Sequence, residues 1–185
     1  MHKDILVMAM MSSYHKKVIF VPGCLLAPGL QAGNEEKNWI WTRNWMAFLS
    51  KIDCNIVQMP CPESSFDCAD CGLGRKPHGV GFYEALPGFY EHCLSLSREV
   101  AKDVYKFKLK GYDVSAVLGI EHSPTCAVNY MYTHRGMVKR PGIFMGEIMN
   151  ALGQVGVSVP IVGINRRYPQ KSIIRVEELT ACSKG

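Results

Sequence analysis

The chain has no apolar run long enough to cross a bilayer as a helix, no low-complexity tract, no internal repeat and no block of like charge. The first absence excludes a membrane-spanning helix. With 48% apolar and 20% charged residues and a mean hydropathy of zero, the composition also excludes a disordered or fibrous chain. The net charge of +5 is thinly spread over Lys16–Lys17, Arg75–Lys76, Lys106 to Lys110, Lys139–Arg140 and Arg166–Arg167. That scatter reads as solvated surface rather than a nucleic-acid face. The His-x-Glu and Pro-Cys-x-x-Cys segments of zinc nucleobase deaminases are missing. The opening "MHKDILVMAMMSS" has an apolar run of minimal length, Asp4 in its basic region and no small-x-small cleavage site, so no exported leader is expected. An extra strand or loose extension over residues 1–16 and a cytoplasmic location are expected instead.

What is present is a chain of 185 residues, the length of one domain, which hides roughly 70% of its extended-chain surface without disulfide staples. "KKVIFVPG" (Lys16 to Gly23) reads as a buried strand running into a turn. Trp41, Trp45, Phe48 and Ile52 then repeat at helical spacing. "CNIVQMP" (Cys54 to Pro60) is a second strand. Ser64 to Tyr83 has no periodicity and is expected to form an irregular loop over a site. Pro87 opens a long helix with apolar Phe89, Cys93, Leu96, Val100, Val104 and Phe107, closed by Gly111. "YDVSAVLGI" (Tyr112 to Ile120) is the third strand. Pro141–Gly142 leads into a helix carrying Ile143, Phe144, Ile148, Leu152 and Val155, "VPIVGI" is the fourth strand, and Ile173 to Cys182 suits a last helix. Strands alternating with helices predict an α/β fold, a three-layer α/β/α sandwich on a mostly parallel four- to five-stranded sheet, whose ligands sit off the carboxyl ends of the strands.

Eight cysteines occupy positions 24, 54, 61, 68, 71, 93, 126 and 182. In a reducing cytosol they read as metal ligands, redox groups or buried thiols rather than disulfides. Cys24, Cys61 and Cys126 each follow a predicted strand within about six residues, so a parallel sheet would gather them at one edge although 37 and 65 residues separate them. Three convergent thiols suit a soft metal centre, either zinc or an iron–sulfur cluster. Cys54, Cys93 and Cys182 read as buried or idle thiols. Cys61, Cys68 and Cys71 with His78 form a competing zinc pattern, C-x6-C-x2-C followed by histidine, while Cys68 and Cys71 alone could be a redox pair or unpaired thiols.

Three segments, "GCLL" (Gly23 to Leu26), "MPCPE" (Met59 to Glu63) and "GIEHSPTC" (Gly119 to Cys126), together resemble the signature segments of the thiouracil desulfidase family, also grouped as a domain of unknown function. "GIFMGEIMNALGQVGV" resembles its final helix, and the likeness spans roughly Val18 to Val162. The resemblance implies a 4Fe-4S cluster held by Cys24, Cys61 and Cys126 with one open iron, and Glu63 and Ser123 as the catalytic pair. It implies removal of sulfur from a thiolated pyrimidine or related small thiocarbonyl compound, giving the oxo product and sulfide. Common members carry an Arg-Tyr-Asp-Gly-like stretch after the first cysteine and glycine after the third. Here "LQAGNEEKNWIWTRN" (Leu30 to Asn44) and Ala127 stand instead, so the substrate pocket is expected to differ.

An open iron would bind a soft thiocarbonyl sulfur, Glu63 would activate water or move protons, and Ser123 would hydrogen-bond the ring or the developing charge. Glu121 and His122 flank Ser123, and Tyr130, His134 and Arg135 follow as further candidates to line the site. Arg166–Arg167 would meet a phosphate only for a nucleotide or tRNA substrate and otherwise reads as surface. The competing function is a non-catalytic module, either zinc-stabilised or a carrier of cluster or sulfide.

Overall fold

The computed structural model describes residues 16–181, so the expected extension at 1–16 lies outside the described residues except for Lys16, as does Cys182. The chain runs β1 (Lys17–Pro22), α1 (Glu35–Leu49), β2 (Asn55–Met59), α2 (Pro62–Ser65), α3 (Val80–Ala85) and α4 (Phe89–Leu109). It continues through β3 (Asp113–Ile120), β4 (Met131–Thr133), β5 (Gly136–Val138), α5 (Ile143–Gln154), β6 (Ile161–Ile164) and α6 (Gln170–Thr180). Four strands form one parallel sheet in the order β2-β1-β3-β6, flanked by helices as expected for a three-layer α/β/α sandwich.

The central strands explain their own placement. Val18, Ile19, Phe20 and Val21 of β1 are all buried, as are residues 114–120 of β3. A strand apolar on both faces is stable only between two covering layers, the condition a parallel sheet meets. β2, at the sheet edge, is exposed at Asn55, Ile56 and Gln58. α4 and α5 pack on each other, and α6 packs against β6 and β3. α1 adds Trp45 and Leu49 to the same core.

Element boundaries depart from expectation where caps or polar contacts decide. α1 is capped by Asn34, whose side chain accepts from Lys37 N, with Glu35 and Glu36 in the favourable first turn. Its buried face is Asn38, Thr42, Trp45 and Leu49; Trp41 and Phe48 flank it half-buried, and Ile52 falls beyond the helix. The long helix opens at Phe89 rather than Pro87 because Gly88 takes a left-handed N-cap conformation, φ 80°. Gly111, φ 77°, follows its C-cap as expected. The last helix starts at Gln170 and ends at Thr180.

The segment 64–83 is less irregular than anticipated, since α2 ends at Ser65 and α3 begins at Val80, leaving 66–79 as the loop. The antiparallel β4–β5 hairpin was not anticipated, because two three-residue strands are too short to show alternation.

Candidate functional site

A cavity of about 350 Å³ lies off the carboxyl ends of all four sheet strands. β1 leads to β2 on one side and pairs with β3 on the other, so this is the point where the winding reverses and a crevice opens. Each strand delivers a wall residue just past its end: Cys24 after β1, Cys61 after β2, the run Glu121 to Cys126 after β3, and Arg166 after β6.

Local backbone fixes the three thiols. Cys24 sits in a single 3-10 turn, Gly23–Leu25, and its carbonyl accepts from Gln31 Nε2 at 2.6 Å. Gly23 leaves room there for Leu30, whose Cδ1 would stand 2.8 Å from a Cβ at that position. Cys61 is the N-cap of α2 with Pro62 at the first helical position, where its missing N–H costs nothing. Cys126 N donates to Ser123 Oγ at 3.0 Å and Thr125 N donates to the same oxygen at 3.3 Å, so Ser123 closes the turn that presents Cys126.

All three thiols line the cavity. Burial, then the neighbouring Cys61 and Glu63, pushes the Cys24 thiol up to about 12, while Arg166 and Arg75 pull the other way. Burial and then Cys24 and Cys61 raise Cys126 well above its ordinary value. Among the described residues, no group of three His, Cys, Asp or Glu is placed to hold one metal ion. A four-iron cluster sets a different demand, because each thiolate binds its own iron and the ligands stand farther apart than around a single ion.

Glu63 is buried beside them and fully engaged. Its Oε2 accepts from Arg75 Nε at 2.9 Å, Arg75 Nη2 at 2.8 Å and Tyr83 OH at 2.9 Å; its Oε1 accepts from Thr125 Oγ1 at 2.6 Å. Arg75 also reaches Cys61 Sγ at 3.9 Å. Burial and the Glu63 carboxylate raise the Tyr83 phenol, which keeps it a donor. Thr125 lies 3.2 Å from Ser123 Oγ and 3.5 Å from Cys126 Sγ, so carboxylate, hydroxyls and thiol form one network.

Of the other expected residues, Glu121 and His122 line the cavity. Glu121 holds the backbone N–H groups of Asn129 and Tyr130 and the Asn129 amide. His122 takes a left-handed φ of 69° and lies against Tyr132, ring centroids 5.0 Å apart. Tyr130, His134 and Arg135 are exposed and are not among the cavity-lining residues.

Two expectations are corrected. Cys68 and Cys71 are joined in a disulfide, so neither is free to complete a zinc site with Cys61, and His78 is stacked on Phe82 with ring centroids 3.8 Å apart. Arg166 is not solvated surface. Its Nη2 donates to Gln31 Oε1 at 2.5 Å and Asn38 Oδ1 at 2.9 Å, and its guanidinium lies 4.4 Å over the Trp41 ring. Gln31, Asn38 and Trp41 all belong to the stretch Leu30 to Asn44, so that stretch builds one wall of the cavity. Arg167 lines the cavity rim and is exposed.

Sequence reasoning passed over Arg75, Tyr83, Thr125 and Gln31. Arg166 was within reach of the strand-end argument that located the cysteines. Arg75 and Tyr83 carried no such signal, being brought to Glu63 by an aperiodic loop and a six-residue helix. Compared with family models, curated proteins and solved structures, the chain has no match.

Proposed function

We propose that this chain is an iron–sulfur-dependent desulfidase acting on a thiolated pyrimidine or related small thiocarbonyl compound, which it converts to the oxo product and sulfide. The observation that carries the reading is the meeting of Cys24, Cys61 and Cys126, from three separate strand ends, on the wall of one cavity that also holds buried Glu63. A volume of about 350 Å³ suits a single heterocycle. The donor set fits a soft anionic cluster, for Arg75 touches Cys61 and Arg166 favours ionised Cys24, so two cations face the thiolates.

Cys24, Cys61 and Cys126 would hold a 4Fe-4S cluster by three corners and leave one iron open. When bound, such a cluster supplies a Lewis-acidic iron with affinity for soft sulfur. The chain's own residues do the rest. Glu63, oriented by Arg75, Tyr83 and Thr125, takes a proton from the water that attacks the thiocarbonyl carbon and passes it to the departing sulfur. The Ser123 hydroxyl hydrogen-bonds the ring or the charge that develops on it. The net reaction, C=S plus water to C=O plus hydrogen sulfide, needs no electron donor.

Anaerobic purification tests the reading. Brown protein with bound iron and sulfide, releasing sulfide from thiouracil and leaving uracil, is expected. Colourless protein holding zinc would end it, and iron-loaded protein without sulfide release would favour a cluster carrier.

A further inference from the structure

The loop 66–79 carries its disulfide where it can be felt at Glu63. Cys71 N donates to Cys68 O at 3.1 Å, closing a tight turn over Ala69 and Asp70, both exposed. The next residue, Gly72, donates its N–H to Glu63 O at 3.2 Å and accepts Arg75 Nη1 on its own carbonyl at 3.1 Å. One residue therefore separates the bridge from the two groups that hold the buried Glu63–Arg75 pair. Arg75 O in turn accepts from Gly33 N at 3.3 Å, tying the loop to the opposite wall of the cavity.

The bridge is poorly suited to stapling the fold. A disulfide stabilises mainly by restricting the unfolded chain, and a closure between residues three apart restricts little of it. It is well suited to exchange. Both sulfurs belong to half-exposed residues, and a C-x2-C pair readily exchanges with an attacking thiolate.

The closed loop also retains local costs that a second arrangement would relieve. Among the described residues, His78 Nε2 is buried without a hydrogen-bond partner. Gly72 and Gly74 hold φ values of 91° and 71°, backbone that swings freely once a constraint is lifted.

We infer that Cys68 and Cys71 form a reversible redox site, reduced by a dithiol, whose state sets how firmly Arg75 clamps Glu63. A thiolate of the reductant attacks one sulfur and expels the other as a thiolate. The reductant's second thiol then displaces the mixed disulfide. The reductant leaves as a disulfide, and Cys68 and Cys71 as two thiols, two electrons and two protons having passed. The bridged form holds the clamp and the dithiol form slackens it. Only the consequence for turnover rests on the desulfidase reading.

The Arg75–Lys76 bond reports the clamp, because trypsin must withdraw the buried Arg75 side chain to cut there. Cleavage is measured on the full chain as purified, in its bridged form, as dithiol-reduced protein and as the Cys68→Ser/Cys71→Ser variant, with thiols counted in each. Cleavage after Arg75 should be about tenfold faster in both unbridged forms, with no change at other lysines and arginines. The double variant should keep its iron and lose turnover by a similar factor. Equal cleavage in bridged and unbridged protein, thiols that never pair, or loss of iron from the double variant would each overturn the inference. Iron-loaded protein that never releases sulfide sinks the desulfidase reading, while the cleavage ratio still decides the switch.

Discussion

At the scale of single residues, the site rests on a buried ion pair next to three thiols. Glu63 and Arg75 are both shielded from water, so each compensates the other's desolvation, and removing one partner leaves an uncompensated charge. Glu63→Gln keeps the shape and some hydrogen bonds but strands Arg75. It should lower unfolding free energy by about 3 kcal/mol. The Glu63→Gln/Arg75→Met double variant should recover most of that loss in urea unfolding and none of the turnover, which falls at least about a hundredfold in both. Activity in either variant would remove Glu63 from the chemistry. The thiols separate in the same way. Cys24→Ala, Cys61→Ala and Cys126→Ala should each cost bound iron, whereas Cys68→Ala should retain it; equal loss from Cys68→Ala would contradict the assignment. Cys24, Cys61 and Cys126 were legible from their sequence positions alone, because a parallel sheet places strand ends together. The partners of Glu63 were not, since Arg75 arrives from a loop and Tyr83 from α3.

At the scale of elements, Cys126 is placed by a close crossing. Gly119 of β3 passes so near the segment after Cys126 that a Cβ would lie 2.5 Å from Cys126 O and 2.6 Å from Val128 Cγ2. Gly142, the N-cap of α5, packs as tightly on the same turn, 2.5 Å from Thr125 O and 2.9 Å from Cys126 N. These neighbours are largely backbone and cannot yield without moving the cysteine. Gly119→Ala and Gly142→Ala should each destabilise by about 2–3 kcal/mol and lower bound iron, while Gly153→Ala, with open space at its Cβ, should do neither. Wild-type iron content and unfolding midpoint in Gly142→Ala would show that the crossing does not set Cys126. The apolar stripe of α4 and the β-branched runs of β1 and β3 announced those elements directly. The β4–β5 hairpin was hidden by its length. The stripe Trp41, Trp45, Phe48 and Ile52 packs on the core as its spacing indicates, but polar Asn38 and Thr42 also point inward, to hold Gln31 and Arg166, which an apolar periodicity cannot register.

At the scale of the whole molecule, the layers that build the sheet core also bury a thiol away from the cavity wall. Cys93 on α4 is fully shielded in the main core, and burial, followed by the fields of Glu63 and Glu147, pushes its thiol up to about 12 from an ordinary 9.0. Between those values the folded chain keeps the proton and the unfolded chain releases it, so the folded state binds more protons. Unfolding free energy therefore falls as pH rises through that window, and the contribution is intact below pH 9.0. One pH unit is worth about 1.4 kcal/mol for one such group. Cys93→Ala removes the titration while leaving the sheet and cavity walls in place, at a constant packing cost. From about pH 9 to about pH 11 the wild-type chain should lose about 2 kcal/mol more than Cys93→Ala, read from urea midpoints at matched slopes. Parallel losses in the two proteins would mean that Cys93 ionises in the fold as easily as in the unfolded chain, and that α4 does not seal the core against the sheet as tightly as its packing indicates.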